Sequence, residues 1–159
     1  MKKMLLFASV SVASGVLFLN VYTSMIDAKS WGSDMPHSIA TAREYFKTVN
    51  PGNYFRIFSP LNQLLGLLSL IFFWRSSRSI RLFLAIAFVM YALAEMLTFK
   101  YFYPRNDIMF KTAQLTDIDT LKRVWGEWVS MNWVRSFIVF VGLSCSYVSL
   151  HKIYTLNKN

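Results

Sequence analysis

Four apolar stretches, at 4–26, 57–74, 80–103 and 129–150, constrain this chain more than any other feature. A helix needs about 20 mostly apolar residues to cross the hydrocarbon of a bilayer. The stretch at 57–74 is the shortest, and it opens with Pro60, Asn62 and Gln63. Of the 159 residues 55% are hydrophobic and 16% are charged, against roughly 25% charged in soluble domains. The length suits a single domain over 1–159. The expected fold is therefore all-α, an integral membrane four-helix bundle whose solvent is lipid.

The N-terminus offers two readings. Lys2 and Lys3, an apolar run and the small residues Ala13 and Ser14 outline a secretory signal. Cleavage after Ala13 would leave a short core, and the apolar run continues through Val16–Leu19. That is longer than the usual 7–15 residues of such a core, which favours an uncleaved first helix.

A net charge of +9 invites a nucleic-acid reading. Its distribution points elsewhere. In a four-span arrangement Lys2, Lys3, Arg75, Arg78, Arg81, Lys152 and Lys158 all fall in short segments on one side, with no acid among them. Short basic segments stay cytoplasmic. The expectation is an inner (plasma) membrane protein with both termini cytoplasmic and loops at about 27–57 and 104–128 outside. Its partners are then membrane lipid and no nucleic acid.

The first outer loop carries a short amphipathic helix. Ser33 or Asp34 can cap it, with Pro36 in its first turn. Ile39, Ala42, Tyr45, Phe46 and Val49 follow at helical spacing, and Asn50-Pro51-Gly52 stops it. In the second loop Tyr103-Pro104-Arg105-Asn106-Asp107 reads as a turn. Thr116-Asp117-Ile118-Asp119 resembles a capping box, so the fourth helix starts near Asp117 and runs inward, with Gly126 free to bend it. Trp31, Tyr45, Tyr54, Tyr101, Tyr103, Trp125, Trp128 and Trp133 crowd the outer boundary, as an interfacial belt does.

Two opposite charges lie within the apolar runs. An ionisable group in hydrocarbon costs at least about 2.5 kcal/mol, so it rarely stands without a partner or a task. Glu95 lies eight residues before Tyr103, and Arg135 seven after Trp128. At about 1.5 Å per residue both sit about 10–12 Å below the outer boundary, where a salt bridge is geometrically allowed. Asn20, Asn62 and Gln63 reach a similar level. Trp128, Asn132 and Arg135 share one helix face, and Tyr91 stands one turn from Glu95. Such groups turn inward in lipid. The expected result is an outward-facing polar pocket over an apolar floor. Arg43, Arg56, Lys100, Arg105, Asn53 and Tyr54 supply further donors near its mouth.

That constellation allows two function classes. One is binding of a small lipophilic molecule; the other is a non-catalytic membrane subunit whose polar network only holds the helices in order. A carrier fits less well, since inverted repeats and broken helices are missing. His37 and His151 lie at opposite ends, so no metal site or haem is expected, and no cofactor. Cys145 is the only cysteine. It allows no internal disulfide and excludes a quinone-linked thiol oxidoreductase, which needs a Cys-x-x-Cys pair. Ser11 and Gly15 form a small-xxx-small pair that could pack within the chain or against a second copy, so a homo-oligomer stays open.

The element Trp128-x3-Asn132-x2-Arg135, opening the last of four spans, resembles the family of small membrane proteins that includes the anthrone oxygenases. Asn20-Val21-Tyr22 and the block from Asn50 to Pro60 are also similar to small bacterial members. The resemblance implies a four-helix membrane bundle. It also implies cofactor-independent oxidation of an aromatic, polyketide-like anthrone by dioxygen. In that chemistry a base removes an acidic C–H proton and the carbanion reacts with oxygen. Glu95 would be the base, and Arg135 would stabilise the developing enolate.

Overall fold

The computed structural model describes residues 2–111 and 117–155. Four long helices carry the fold: α1 (Lys2–Trp31), α3 (Pro51–Phe72), α4 (Arg78–Lys111) and α5 (Ile118–Thr155). A short α2 (His37–Tyr45) lies in the first long loop. The protein is an all-α membrane bundle, and each long helix is long and apolar enough to cross a membrane. The helices form a closed ring in which α1 packs on α3 and α5, and α4 packs on α3 and α5.

Lipid as solvent explains which residues face which way. Phe18, Ile57, Leu64, Phe72, Leu82, Val89, Phe137 and Phe140 are exposed, whereas Ser9, Asn20, Ser24, Asn62, Asn132 and Arg135 are buried. In water that arrangement would expose a large sticky surface. In hydrocarbon it is the stable one, because polar groups find partners only inside. At the level of Ala13, Ala87 and Tyr91 the core is built from small residues and one ring. Small side chains let helices approach closely, the main source of packing energy in a bilayer. Gly15 uses that closeness within the chain: a Cβ there would stand 2.9 Å from the Tyr54 hydroxyl.

Three boundaries differ from the sequence expectation. The second span begins at Pro51, not near 57. Asn50 accepts from the Gly52 amide and forms a capping box with Asn53, and Pro51 occupies the first turn. A missing N–H costs nothing there, so the residues read as a stop are the start of the next helix. The third span runs to Lys111, past Tyr103–Asp107, where a turn was expected. Pro104 is tolerated because the backbone re-pitches around it, with π-helical turns at Thr98–Phe102 and Asp107–Lys111. The first span likewise continues to Trp31 through a π turn at Thr23–Asp27.

The amphipathic helix is there, with its apolar Ile39 and Ala42 buried, but neither Ser33 nor Asp34 caps it. The Ser38 hydroxyl accepts from the Asp34 amide (3.3 Å) and donates to the Trp31 carbonyl (2.5 Å) instead. Thr116, the expected cap of the fourth helix, lies outside the described residues. Asp117 caps that helix, accepting from the Asp119 amide (3.0 Å) and the Thr120 hydroxyl (2.5 Å).

Those bonds, the Thr120 hydroxyl foremost, hold the Asp117 carboxyl below its ordinary value. A depressed folded pKa stabilises the helix start above the unfolded value of about 3.9 and is lost as pH falls through the folded value. Protection of the first-turn amides of α5, taken as exchange relative to the intrinsic rate at each pH, should therefore fall between pH 5 and pH 2.5, and should do so less in Asp117→Asn. An equal loss of protection in both proteins would contradict this cap.

Candidate functional site

The site is organised around Arg135, which is 5% exposed in the wall of α5. Its Nη2 donates to Asn132 Oδ1 (2.5 Å), one turn earlier on the same face. Its Nη1 donates to Thr98 Oγ1 (3.3 Å) on α4. The guanidinium carbon lies 4.0 Å from the centre of the Phe102 ring and 5.3 Å from that of Phe55. A ring face attracts a cation, more strongly once water is excluded.

Asn132 is fully buried and links α5 to α1. Its Nδ2 donates to the Asn20 carbonyl (3.0 Å) and to Ser24 Oγ (2.6 Å), both on α1. Two π turns stand at this level. One carries Ser24 and the other carries both Thr98 and Phe102. Such turns concentrate at functional sites because they re-aim side chains within a continuous helix.

Above this network, at the end bearing α2, aromatic rings close the bundle. Trp128 packs edge-on against Trp31 (5.3 Å) and Phe102 (5.5 Å), and its indole N–H donates to Asn106 Oδ1 (2.8 Å). Trp125 donates to the Ala28 carbonyl (2.8 Å). Trp31 and Trp128 are thus core residues, where a belt was expected for Trp31; Tyr45 and Trp133 are exposed. Below the network Tyr91 spans the bundle, its hydroxyl 3.0 Å from Ser146 Oγ.

Between ceiling and floor lies a cavity bordered by Asn20, Asn62, Tyr91, Glu95, Thr98 and Arg135, with Phe55, Ser59 and Gln63 on the α3 side. The space open to the centre of a water molecule is about 20 Å³. That admits a single water, whereas drug-sized ligands occupy roughly 300 Å³ or more. Three buried polar atoms here, Asn20 Oδ1, Asn62 Oδ1 and Arg135 Nε, have no hydrogen-bond partner among the described residues. Unmade bonds of buried groups cost about 1–3 kcal/mol each.

Glu95 and Arg135 face the same cavity without touching. No Glu95–Arg135 contact within 4.0 Å occurs among the ion pairs of the described residues. Arg135 is held by Asn132, Thr98 and Phe102, while Glu95 shares the cavity lining with Ser59 on α3. Of the other expected site residues, Asn20, Asn62 and Tyr91 line the cavity. Asn132 and Trp128 stand behind Arg135 and above it. Arg56 is exposed on α3 and lines nothing. The helical phase explains it: Arg56 follows Phe55, and only the latter turns inward.

Most of the expected surplus donors are committed to structure. Arg43 Nε donates to the Met109 carbonyl (2.7 Å) and ties α2 to the end of α4. Arg105 is bonded to Glu127 (2.8 Å) and lies 3.4 Å from the centre of the Tyr101 ring. Asn53 completes the α3 cap. Lys100 is exposed. Thr98 and Phe102 escaped the sequence reading, although they follow Glu95 by three and seven residues on one helix face. Ser59 carries no sequence signal that it lines the cavity. Among the described residues no three metal-ligating side chains gather.

A model of the anthrone oxygenase family matches residues 53–145. No curated protein and no solved structure matches the chain. The matched segment holds Ser59, Asn62, Glu95, Thr98, Asn132 and Arg135, and it spans more than half of the sequence. On these grounds this multi-pass membrane chain belongs to the anthrone oxygenase family.

Proposed function

We propose that the chain binds a small lipophilic aromatic molecule at the Glu95–Arg135 cavity and oxidises it with dioxygen when it is an anthrone. The observation that carries this reading is the convergence of one carboxylate and three unpartnered buried polar atoms on a single cavity. A network serving only to hold helices together would satisfy its own members.

The chemistry needs a base, an anion-stabilising group and dioxygen. Glu95 takes the acidic C–H proton of the anthrone. The electron pair left behind delocalises onto the carbonyl oxygen, which Arg135 Nε is free to meet. The carbanion adds to dioxygen, the carboxyl proton returns to the hydroperoxide, and loss of water leaves the quinone. One anthrone and one dioxygen thus give one quinone and one water. A positioned base is worth about 10²–10⁴ in rate. The membrane proposed is the plasma membrane, with both termini cytoplasmic, because the basic segments Lys2–Lys3 and Arg75–Arg81 share one end.

The satisfied part of the network, Asn132 with Asn20, Ser24 and Arg135, favours a second reading, a purely structural role. Both are tested by giving anthrone and oxygen to purified protein in detergent, with Glu95→Gln and Arg135→Met alongside. Quinone formation by the parent, reduced about 100-fold or more in Glu95→Gln with its melting point kept, is expected. Oxidation no faster than in empty micelles would defeat the catalytic reading. Collapse of both variants would favour the structural one.

A further inference from the structure

The cavity is closed at both ends and leaks at one side. Trp31, Phe102 and Trp128 pack on one another beyond Arg135 at one end, and Tyr91, bonded across the bundle to Ser146, lines the other. Among its lining residues Phe55, Ser59, Gln63 and Glu95 retain exposure, and all four lie on α3 or α4. The seam between those helices is also weakly tied. Gln63 Nε2 reaches the Tyr91 carbonyl at 3.4 Å, near the limit of a hydrogen bond. Pro60, next to Ser59, cannot donate to the Arg56 carbonyl, which loosens α3 at the height of the cavity. The most apolar stretch of α3 is 17% buried, against 39% for α5, so α3 is the wall with least to lose by moving.

We infer that the α3–α4 seam is a lateral portal through which the ligand arrives from the bilayer, and that the ligand class is an uncharged, membrane-dissolved molecule carrying an oxygen acceptor. This rests on the reading of the cavity as a ligand site. Ser59 and Phe55 stand at the threshold, and Glu95 is the first charged group met. A charged molecule would bear the cost of hydrocarbon on the way. An uncharged one reaches Arg135 Nε, where its oxygen supplies the missing partner.

Glu95 itself reports the route. A carbodiimide adds to a carboxylic acid: the carboxyl oxygen bonds to the central carbon, the proton moves to a nitrogen, and rearrangement leaves a stable acylurea. Vesicles holding the full chain are treated with dicyclohexylcarbodiimide, which dissolves in lipid, or with a water-soluble carbodiimide. Adducts are mapped by mass spectrometry. The lipid-soluble reagent should label Glu95, while the water-soluble one labels exposed acids such as Glu44 and leaves Glu95 unmodified. Ser59→Phe, which fills the threshold, should slow Glu95 labelling in protein that keeps its helical circular dichroism. Labelling of Glu95 from water, no labelling by either reagent, or labelling unchanged by Ser59→Phe would each overturn the portal. Lipid-side labelling without anthrone turnover would instead overturn the reaction and leave the route standing.

Discussion

Asn132→Ala is expected to destabilise the bundle by about 2–4 kcal/mol, the largest single effect in the protein. Three bonds end at this side chain, to the Asn20 carbonyl, to Ser24 Oγ and from Arg135 Nη2. Individual bonds of this kind in a membrane are worth about 0.6–1.7 kcal/mol. Their loss also leaves the Arg135 guanidinium short of an acceptor inside the bundle, which raises the cost. Unfolding by an increasing fraction of denaturing detergent, followed by circular dichroism, measures the difference. A loss under about 0.5 kcal/mol, below that of a single bond, would mean that the network does not hold α1 to α5.

Gly142→Ala is expected to cost about 1–3 kcal/mol through overpacking. A Cβ at this position would stand 2.7 Å from Tyr91 Cε1, 3.0 Å from Cδ1 and 3.1 Å from Met90 Cβ. The ring cannot retreat. On its other side a Cβ at Gly66 would already be 3.3 Å from Cδ2, and the hydroxyl is held by Ser146. The floor of the cavity should shift with it, so Glu95 labelling should also change. Gly126→Ala is the control, since a Cβ there meets nothing within 4 Å. It should be neutral or stabilising by up to about 1 kcal/mol, from helix propensity alone. Equal outcomes for the two glycines would refute the clamp on Tyr91.

The site was legible in part. Glu95, Arg135, Asn20, Asn62 and Tyr91 could be named because polar residues in apolar runs must turn inward, and rise per residue gives their depth. Arg56 could not be excluded, because facing direction near a helix start depends on where the helix begins, and the Asn50 cap moves that start. Arg43 and Arg105 looked like free donors until Met109 and Glu127 were seen to engage them. Trp31 read as a belt residue because an indole near a boundary has the same sequence signature whether it meets headgroups or another indole.

From its own residues the chain declares four spans, a polar level within them and the short helix between the first two, since hydropathy, periodicity and capping act locally. Tertiary structure alone decided that Glu95 and Arg135 border one cavity without touching, that aromatic rings cluster beyond Arg135, and that the half-exposed residues of the lining lie on α3 and α4. The reason is geometric. Depth follows from counting residues along one helix, but distance across a bundle depends on the rotation of every helix, and the π turns at Thr23–Asp27 and Thr98–Phe102 reset that rotation where the site is built.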